Sequence, residues 1–355
     1  MTLLNKNIIN FEPKIFGLDL SDLSIKFFQI EKEGRADKIK GFASFDIPAG
    51  SMDDGEIIDK ERLAATIKSA LERTKKINTN KIICSLPESK AFIRIITIPD
   101  MTEKEAHEAV KWEMEANLPL PLSETYFDWQ FLESKDAGKQ LVLTAAVSKR
   151  VVDDWMEVLS SAGLSVYGLE IESIATIRSL IPNDSQETSL IVDIGARRTS
   201  FIISEGSVPY FTSSIPFSSE GINDAIGKGL NLDPEESEKS KIDNGIANQD
   251  GANPIFNAVA PLMENLVMEI IKTMDFYGDM SQKTAGINKI ILCGGGSNLK
   301  GLPDFLNRRI GKEVIMGDPW VNLKFGHELP PIDKENSARY ATVIGLALRG
   351  LEYEN

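Results

Sequence analysis

Apolar and polar positions take on a clear period from residue 14 onward. Two β-type runs, KIFGLDL (residues 14–20) and SIKFFQI (residues 24–30), flank a polar Ser21-Asp22 turn and predict a hairpin. A further strand is expected over residues 39–47. Over residues 62–73, Leu63, Ile67, Ala70 and Leu71 recur at helical spacing, and residues 81–86 and 91–98 are short β-rich runs. Thr102 and Glu105 match the Thr-x-x-Glu box in which side chains satisfy the free amides of a helix start; that helix should stop before Pro119. Strands are expected over 126–132 and 141–147, a helix over 151–162 ended by Gly163, a strand near 165–169 and a helix near 174–180.

The polar, turn-rich stretch PNDSQETS (residues 182–189) marks a boundary, and beyond it the opening pattern repeats. LDLSDLSIKFF (residues 18–28) and VDIGARRTSFI (residues 192–202) are each a β-run, an Asp, a small-residue turn and a second β-run. Asp19 and Asp193 occupy equivalent places. Helices are expected over 220–229, 234–241 and 255–277, with a polar loop at 243–254. A buried strand at 289–293 then runs into Gly294-Gly295-Gly296 and a helix over 303–310. Residues 337–351 should form one closing helix with Ala341, Ile344, Gly345 and Leu348 on one face.

Composition narrows the classes. With 355 residues, 42% apolar and 26% charged, the chain can bury two sizeable cores. Its 53 acidic against 39 basic residues give a net charge of -14, which argues against a nucleic-acid partner, because duplex binding depends on neutralising phosphates. Cys84 and Cys293 lie far apart in apolar stretches and read as buried thiols rather than a disulfide. Two histidines, His107 and His327, exclude a histidine-rich metal centre. No apolar run approaches the roughly 20 residues of a membrane span, and MTLLNKNIINFEPK lacks a signal-peptide core, so a cytosolic chain without direct membrane insertion is expected. Trp112, Met114, Trp129 and Trp155 read as core or interface packing, His107 as solvated, and the acidic run 233–238 as a solvated helix start.

An Asp ending a buried strand before a tight turn can hold a magnesium-bound water, and the amides of such a turn can bind phosphate oxygens. Asp19 with Leu20-Ser21-Asp22, and Asp193 with Ile194-Gly195-Ala196, are two such turns; either one alone reads first as a hairpin with a turn-favouring Asp. GGGSNLKGL (residues 294–302) is the third piece. Its glycines permit close backbone approach to a ligand, and the following helix offers free amides, although such turns also occur for packing alone.

Two hairpin turns followed by a late triple-glycine turn, in this order, resemble the actin/Hsp70/sugar-kinase superfamily. More narrowly, the chain resembles the PilM family of type IV pilus assembly and, next, the division protein FtsA. FGLDLSDLSIK (16–26), EAVKWEMEANLPLPLSETYFDWQ (108–130), IVDIGARRTSFII (191–203), IPFSSEGINDAI (215–226), ESEKSK (236–241), ILCGGGSNLKGLPDFL (291–306) and ATVIGLALR (341–349) carry the likeness, and segment 108–130 favours PilM over FtsA. The resemblance implies an actin-like (ribonuclease H-like) α/β fold of duplicated domains with an interdomain nucleotide cleft. The first would span residues 1–185 with an insert at about 48–165, and the second 186–355, with the helix 337–351 packing back towards the first.

It further implies ATP and Mg²⁺ as ligands. Asp19 and Asp193 would face the metal through water, and Leu20, Ser21, Asp22, Ile194, Gly195, Ala196, Arg197 and Arg198 would clasp the β- and γ-phosphates. Lys26 matches the lysine after the first turn, Gly294, Gly295, Gly296 and Ser297 would lie along the adenosine, Glu238 and Lys241 would reach ribose and adenine, and Glu172 would orient a water. The implied partner is the N-terminal cytoplasmic peptide of an inner-membrane PilN-like protein, held by a cytoplasmic scaffold that self-associates or not and is at most a slow ATPase. The pattern departs at Ser21, where the family carries Gly, so that a side chain crowds phosphate if the turn needs a positive φ. It departs also at Asp22, which adds a carboxylate, and at Ser218-Ser219, which replace a Gly pair, while Arg197 and Arg198 add positive charge. The alternatives are an FtsA-like division tether, for which the ending LRGLEYEN makes a poor amphipathic helix, and a scaffold of this fold that no longer binds nucleotide.

Overall fold

The computed structural model describes residues 14–132, 138–247, 253–281, 286–326, 330 and 332–353. The readings of residues 1–13, of His327 and of the centre of the 243–254 loop lie outside them. In chain order the first half comprises β1 (Phe16–Leu20), β2 (Ser24–Glu33), β3 (Ala36–Asp46), the two-residue strands β4 (Met52–Asp53) and β5 (Glu56–Ile57), α1 (Lys60–Arg73), β6 (Lys81–Leu86), β7 (Ala91–Pro99), α2 (Glu103–Asn117), β8 (Thr125–Leu132), β9 (Lys139–Ser148), α3 (Lys149–Ser161), β10 (Ser165–Ile171) and α4 (Glu172–Leu180). The second comprises β11 (Thr188–Ile194), β12 (Thr199–Glu205), β13 (Val208–Ile215), α5 (Ser219–Leu230), α6 (Pro234–Asn244), α7 (Pro254–Ser281), β14 (Lys289–Cys293), α8 (Leu302–Ile310), β15 (Glu313–Met316), α9 (Lys334–Ser337) and α10 (Ala341–Glu352).

The internal repeat is a repeat of topology. One five-stranded sheet runs β3-β2-β1-β6-β10 and the other β13-β12-β11-β14-β15, each with an antiparallel three-strand meander joined to two parallel strands. Asp19 pairs with Lys26 across the first hairpin, as Asp193 pairs with Ser200 across the second. Ser21 N donates to Ser24 O (3.0 Å) and Gly195 N to Arg198 O (2.8 Å), so both turns close in the same way.

Each sheet is covered on both faces, as the buried runs of β1 and β11 require. The outer face of the first packs on α1 and α3 through Leu63, Ile67, Val151, Trp155 and Leu159. The outer face of the second packs on α5, α7 and α8 through Ile222, Ile226, Val259, Met263 and Phe305. Between the sheets lie α4 and α10. Ile177 and Leu180 of α4 sit against Ile191, Ile202 and Ile291, while Val343, Ile344 and Ala347 of α10 sit against Phe28 and Ile30. Small residues set this joint: a Cβ on Gly17 of β1 would meet Val343 O at 2.5 Å, and one on Gly345 would overlap the Ala175 carbonyl.

Two expectations need revision. The 48–165 insert contains β6, a central strand of the first sheet; the part that stands apart is the three-stranded sheet β7-β9-β8 with α2, over residues 91–148. The helix expected over 337–351 breaks at Ala338, whose carbonyl accepts the Gly294 amide (3.2 Å), and α10 is buried nearly all round rather than on one face. Of the four residues read as core or interface packing, Met114 and Trp155 are buried, whereas Trp112 is 70% exposed and lies outside the core. His107 is exposed, but its Nδ1 accepts from Trp129 Nε1 (3.4 Å) and its ring stacks on Phe127. Among the described residues α7 is the one helix long and apolar enough to cross a membrane, and its Val259, Met263, Leu266 and Ile270 pack into the second core.

Candidate functional site

The two aspartate turns and the glycine turn meet at one cavity of about 520 Å³ between the halves, within the size range of ligand pockets. Fifteen of the eighteen residues singled out line it: Asp19, Leu20, Ser21, Asp22, Lys26, Glu172, Asp193, Gly195, Ala196, Arg197, Arg198, Glu238, Gly294, Gly295 and Gly296. Three do not. Ile194 is buried in the second core; Ser297 is buried and its Oγ donates to Gly294 O (2.7 Å); Lys241 stands behind Glu238, donating to its Oε2 and to Ser219 Oγ, both at 2.8 Å.

The aspartates have matched supports. Asp19 Oδ1 accepts from Ser85 Oγ (3.0 Å) and Oδ2 from Lys26 Nζ (2.9 Å), while Asp193 is hydrogen-bonded by Cys293, which pairs with it in register on β14. Cys293 is thus no mere core thiol; burial and the Asp193 carboxylate push its pKa well up. Burial, with the Asp19 carboxylate adding to it and Lys26 opposing, pushes Asp193 up to about 6. Burial and then Asp19 push Glu172 well above the usual carboxylate range. Burial alone would lower Lys26, but the Asp19 carboxylate holds it above its ordinary value.

The first turn needs no glycine. Among the described residues only Asp54 and Asn231 are non-glycines with positive φ, so Ser21 sits in ordinary backbone space, and its Oγ joins Ser24 Oγ (3.0 Å). The Asp22 carboxylate is engaged too, accepting the Gly55 amide (2.9 Å). Ser218 caps α5 by accepting from Gly221 N (3.0 Å), and Ser219 and Glu220 donate to the Gly195 and Ala196 carbonyls (3.1 and 3.0 Å), which locks the second turn onto α5.

The three glycines divide the labour. A Cβ on Gly294, at φ +80°, would overlap the Asp193 carboxylate, and one on Gly296 would overlap Ile194. A Cβ on Gly295 meets nothing within 4 Å. Protein packing therefore explains the outer two, while the middle one opens directly onto the cavity.

Sequence reading missed several lining residues. Glu88 and Glu172 bracket each other: Glu88 N donates to Glu172 Oε2 (3.1 Å) and Ser173 N to Glu88 Oε2 (3.2 Å), a pairing across about 85 positions that no local pattern announces. Asn223 donates to Glu238, and its buried Oδ1 has no partner. Arg339 and Thr342 reach the wall from the C-terminal segment. The Asp54-Gly55 tip between β4 and β5, where both residues have positive φ, carries an Asp-Gly hairpin signal that sequence reading also missed.

A duplicated sheet whose two aspartate turns face a shared cleft, closed by a glycine turn, defines an actin-like fold. The chain belongs to the type IV pilus assembly protein PilM family, whose model matches residues 17–351. It is similar to the solved PilM-PilN type IV pilus biogenesis complex, with 25% identity, TM-score 0.81, and coverage of 96% of this chain and 99% of that one. The ethanolamine utilization protein EutJ from Carboxydothermus hydrogenoformans (16% identity, TM-score 0.57, 95% and 89% covered) shares the fold. So does MreB5 of Spiroplasma citri bound to ADP (14% identity, TM-score 0.53, 96% and 97% covered).

Proposed function

We propose that the protein is a cytoplasmic ATP-binding scaffold of type IV pilus assembly, which holds the N-terminal cytoplasmic peptide of an inner-membrane PilN-like protein. The observation that carries the nucleotide reading is Gly295, bare towards a cavity rimmed by both aspartate turns. Asp19 and Asp193 would face Mg²⁺ through water, which supplies charge neutralisation for a bound polyphosphate. The turns at Leu20–Asp22 and Gly195–Arg198 would approach the phosphates from two sides. The Gly294–Gly296 backbone would run along the nucleoside, with Glu238 set by Lys241 and Asn223 Oδ1 free to accept from a hydroxyl or amine. Turnover should be slow, because Oε2 of Glu172 is already engaged by the Glu88 amide (3.1 Å) rather than free to orient a water.

The partner reading rests on likeness to the PilM-PilN complex over nearly the whole of both chains. On that reading the protein would dock on its partner at the inner face of the cytoplasmic membrane. The domain reading, one unit per five-stranded sheet, follows the cleft between them.

A second reading has one observation behind it. Three of the four cations that line the cleft are already paired within the protein: Lys26 to Asp19, Arg197 to Asp53 and Arg198 to Asp54. That arrangement suits a scaffold without nucleotide. Calorimetric titration of MgATP into wild type, Asp193→Ala and Gly295→Val separates the two. Saturable binding lost in both variants is the expected outcome; no heat from wild type at millimolar ATP would leave the nucleotide-free scaffold.

A further inference from the structure

The Asp-Gly hairpin β4–β5 reaches across the cavity mouth. Arg197 Nη1 is 2.9 Å from Asp53 Oδ1 and Arg198 Nη1 is 2.6 Å from Asp54 Oδ1, so two consecutive arginines of the second half's turn grip two consecutive aspartates of the first half. Arg197 also contacts Glu220 (3.4 Å), and Arg198 donates to Ser214 Oγ (3.1 Å). The buried Nε of Arg198 has no partner. On its other side the hairpin is tied only to the first half: Gly55 N to Asp22, Lys90 to Asp54 and Glu56 (3.3 Å each), and Arg150 to Glu56 (3.0 Å).

We propose that the β4–β5 hairpin is a carboxylate latch that occupies Arg197 and Arg198 in the nucleotide-free cleft and surrenders them to the polyphosphate of a bound nucleotide. The inference rests on the ATP reading and adds a competitor to it. Asp53 and Asp54 are 72% and 48% exposed, so each pair is solvated and weak. A phosphate oxygen set offers guanidinium a stronger, bidentate partner, and the unpaired Arg198 Nε leaves that fork incomplete until one arrives. Exchange of partners would cut the hairpin from the second half while Asp22, Lys90 and Arg150 keep it fixed to the first. Occupancy of the cleft is thereby passed to the base of the three-stranded sheet, where Lys90 abuts β7.

The latch predicts a sign opposite to that of an ordinary binding residue. Removing Asp53 and Asp54 as competitors should tighten ATP binding. Two exposed pairs set the scale at roughly three- to thirty-fold. The test is MgATP affinity of the full chain, wild type against D53N/D54N and R197Q/R198Q, at fixed ionic strength, with hydrogen exchange of residues 50–58 measured alongside. Support is tighter binding in D53N/D54N, weaker binding in R197Q/R198Q, and hairpin amides in nucleotide-free D53N/D54N exchanging as fast as those of ATP-loaded wild type. Unchanged affinity in D53N/D54N overturns the latch, and weakened affinity overturns it in favour of carboxylates that serve the metal. If no protein binds ATP, the nucleotide reading itself fails. Inorganic tripolyphosphate then decides: faster exchange over 50–58 upholds release by polyphosphate, and none overturns it.

Discussion

Asp19 and Asp193 share a cavity, yet Lys26 is paired with only one of them. Asp19 holds both the Lys26 ammonium and the Ser85 hydroxyl, whereas Asp193 has a weak thiol donor and the repulsion of its neighbour. Its folded pKa of about 6 lies above the usual 3.8, so the fold favours the protonated acid. The stability this contributes is complete below the unfolded pKa near 4 and is lost as pH rises through 6. Asp193→Asn fixes the neutral form at every pH. Thermal melts should show it more stable than wild type at pH 8, by about 1–2 kcal/mol given partial solvation, and equal at pH 4. A constant gap between the two proteins across that range would show that folding does not shift the Asp193 pKa. The same residue should oppose itself functionally, since any magnesium held through Asp193 requires the ionised carboxylate that burial and the Asp19 charge disfavour.

Among the elements, what could be read from the chain divides by the range of the interaction. Both Asp hairpins, the glycine turn and the Thr102–Glu105 cap were legible because each is set by residues within a few positions of one another. All three site turns meet at one cavity, and in α2 the Thr102 side chain accepts from Glu105 N while Glu105 returns to Thr102 N. Glu88 against Glu172 and the break at Ala338 were not legible, because each is decided by a partner brought in by the sheet order. The β4–β5 hairpin is a different miss: its Asp-Gly signal is local, but with two-residue strands there is too little alternation to notice. Local legibility carries its own prediction. Thr102→Ala removes one half of a reciprocal cap and should cost about 1 kcal/mol. The loss should appear in hydrogen exchange as faster opening of α2 and the three-stranded sheet, whose Ala106, Val110 and Met114 contacts form a core of their own, with the cleft between the large sheets untouched. Equal acceleration across both large sheets would mean that this core is not a separate unit.

At the level of the whole molecule, the order of the chain and the order of the cores differ. The last helix, α10, does not finish the second half that precedes it; it completes the inner face of the first sheet, with Val343, Ile344 and Ala347 on Phe28 and Ile30. Arg349 and Arg178 converge on Glu170, whose side chain is almost wholly buried, and so tie α10, α4 and β10 together. The first sheet therefore cannot bury its inner face until the final residues are in place, and the two halves are coupled through α4 and α10 rather than through the cleft alone. Gly345 is the tightest point of that joint, where a side chain would overlap the Ala175 carbonyl of α4. Gly345→Val should force α10 off α4 and destabilise the joint by about 3 kcal/mol or more, the scale of backbone-directed overpacking. Because α5, α7 and α8 cover the outer face of the second sheet and α4 covers much of its inner face, the damage should fall mainly on the first half. Calorimetry should then resolve the variant's unfolding into two transitions, the earlier one carrying loss of hydrogen-exchange protection in β1, β2 and β6. If the variant instead melts in one transition with both sheets losing protection together, α4 transmits the strain to the second core, and the halves form a single cooperative unit.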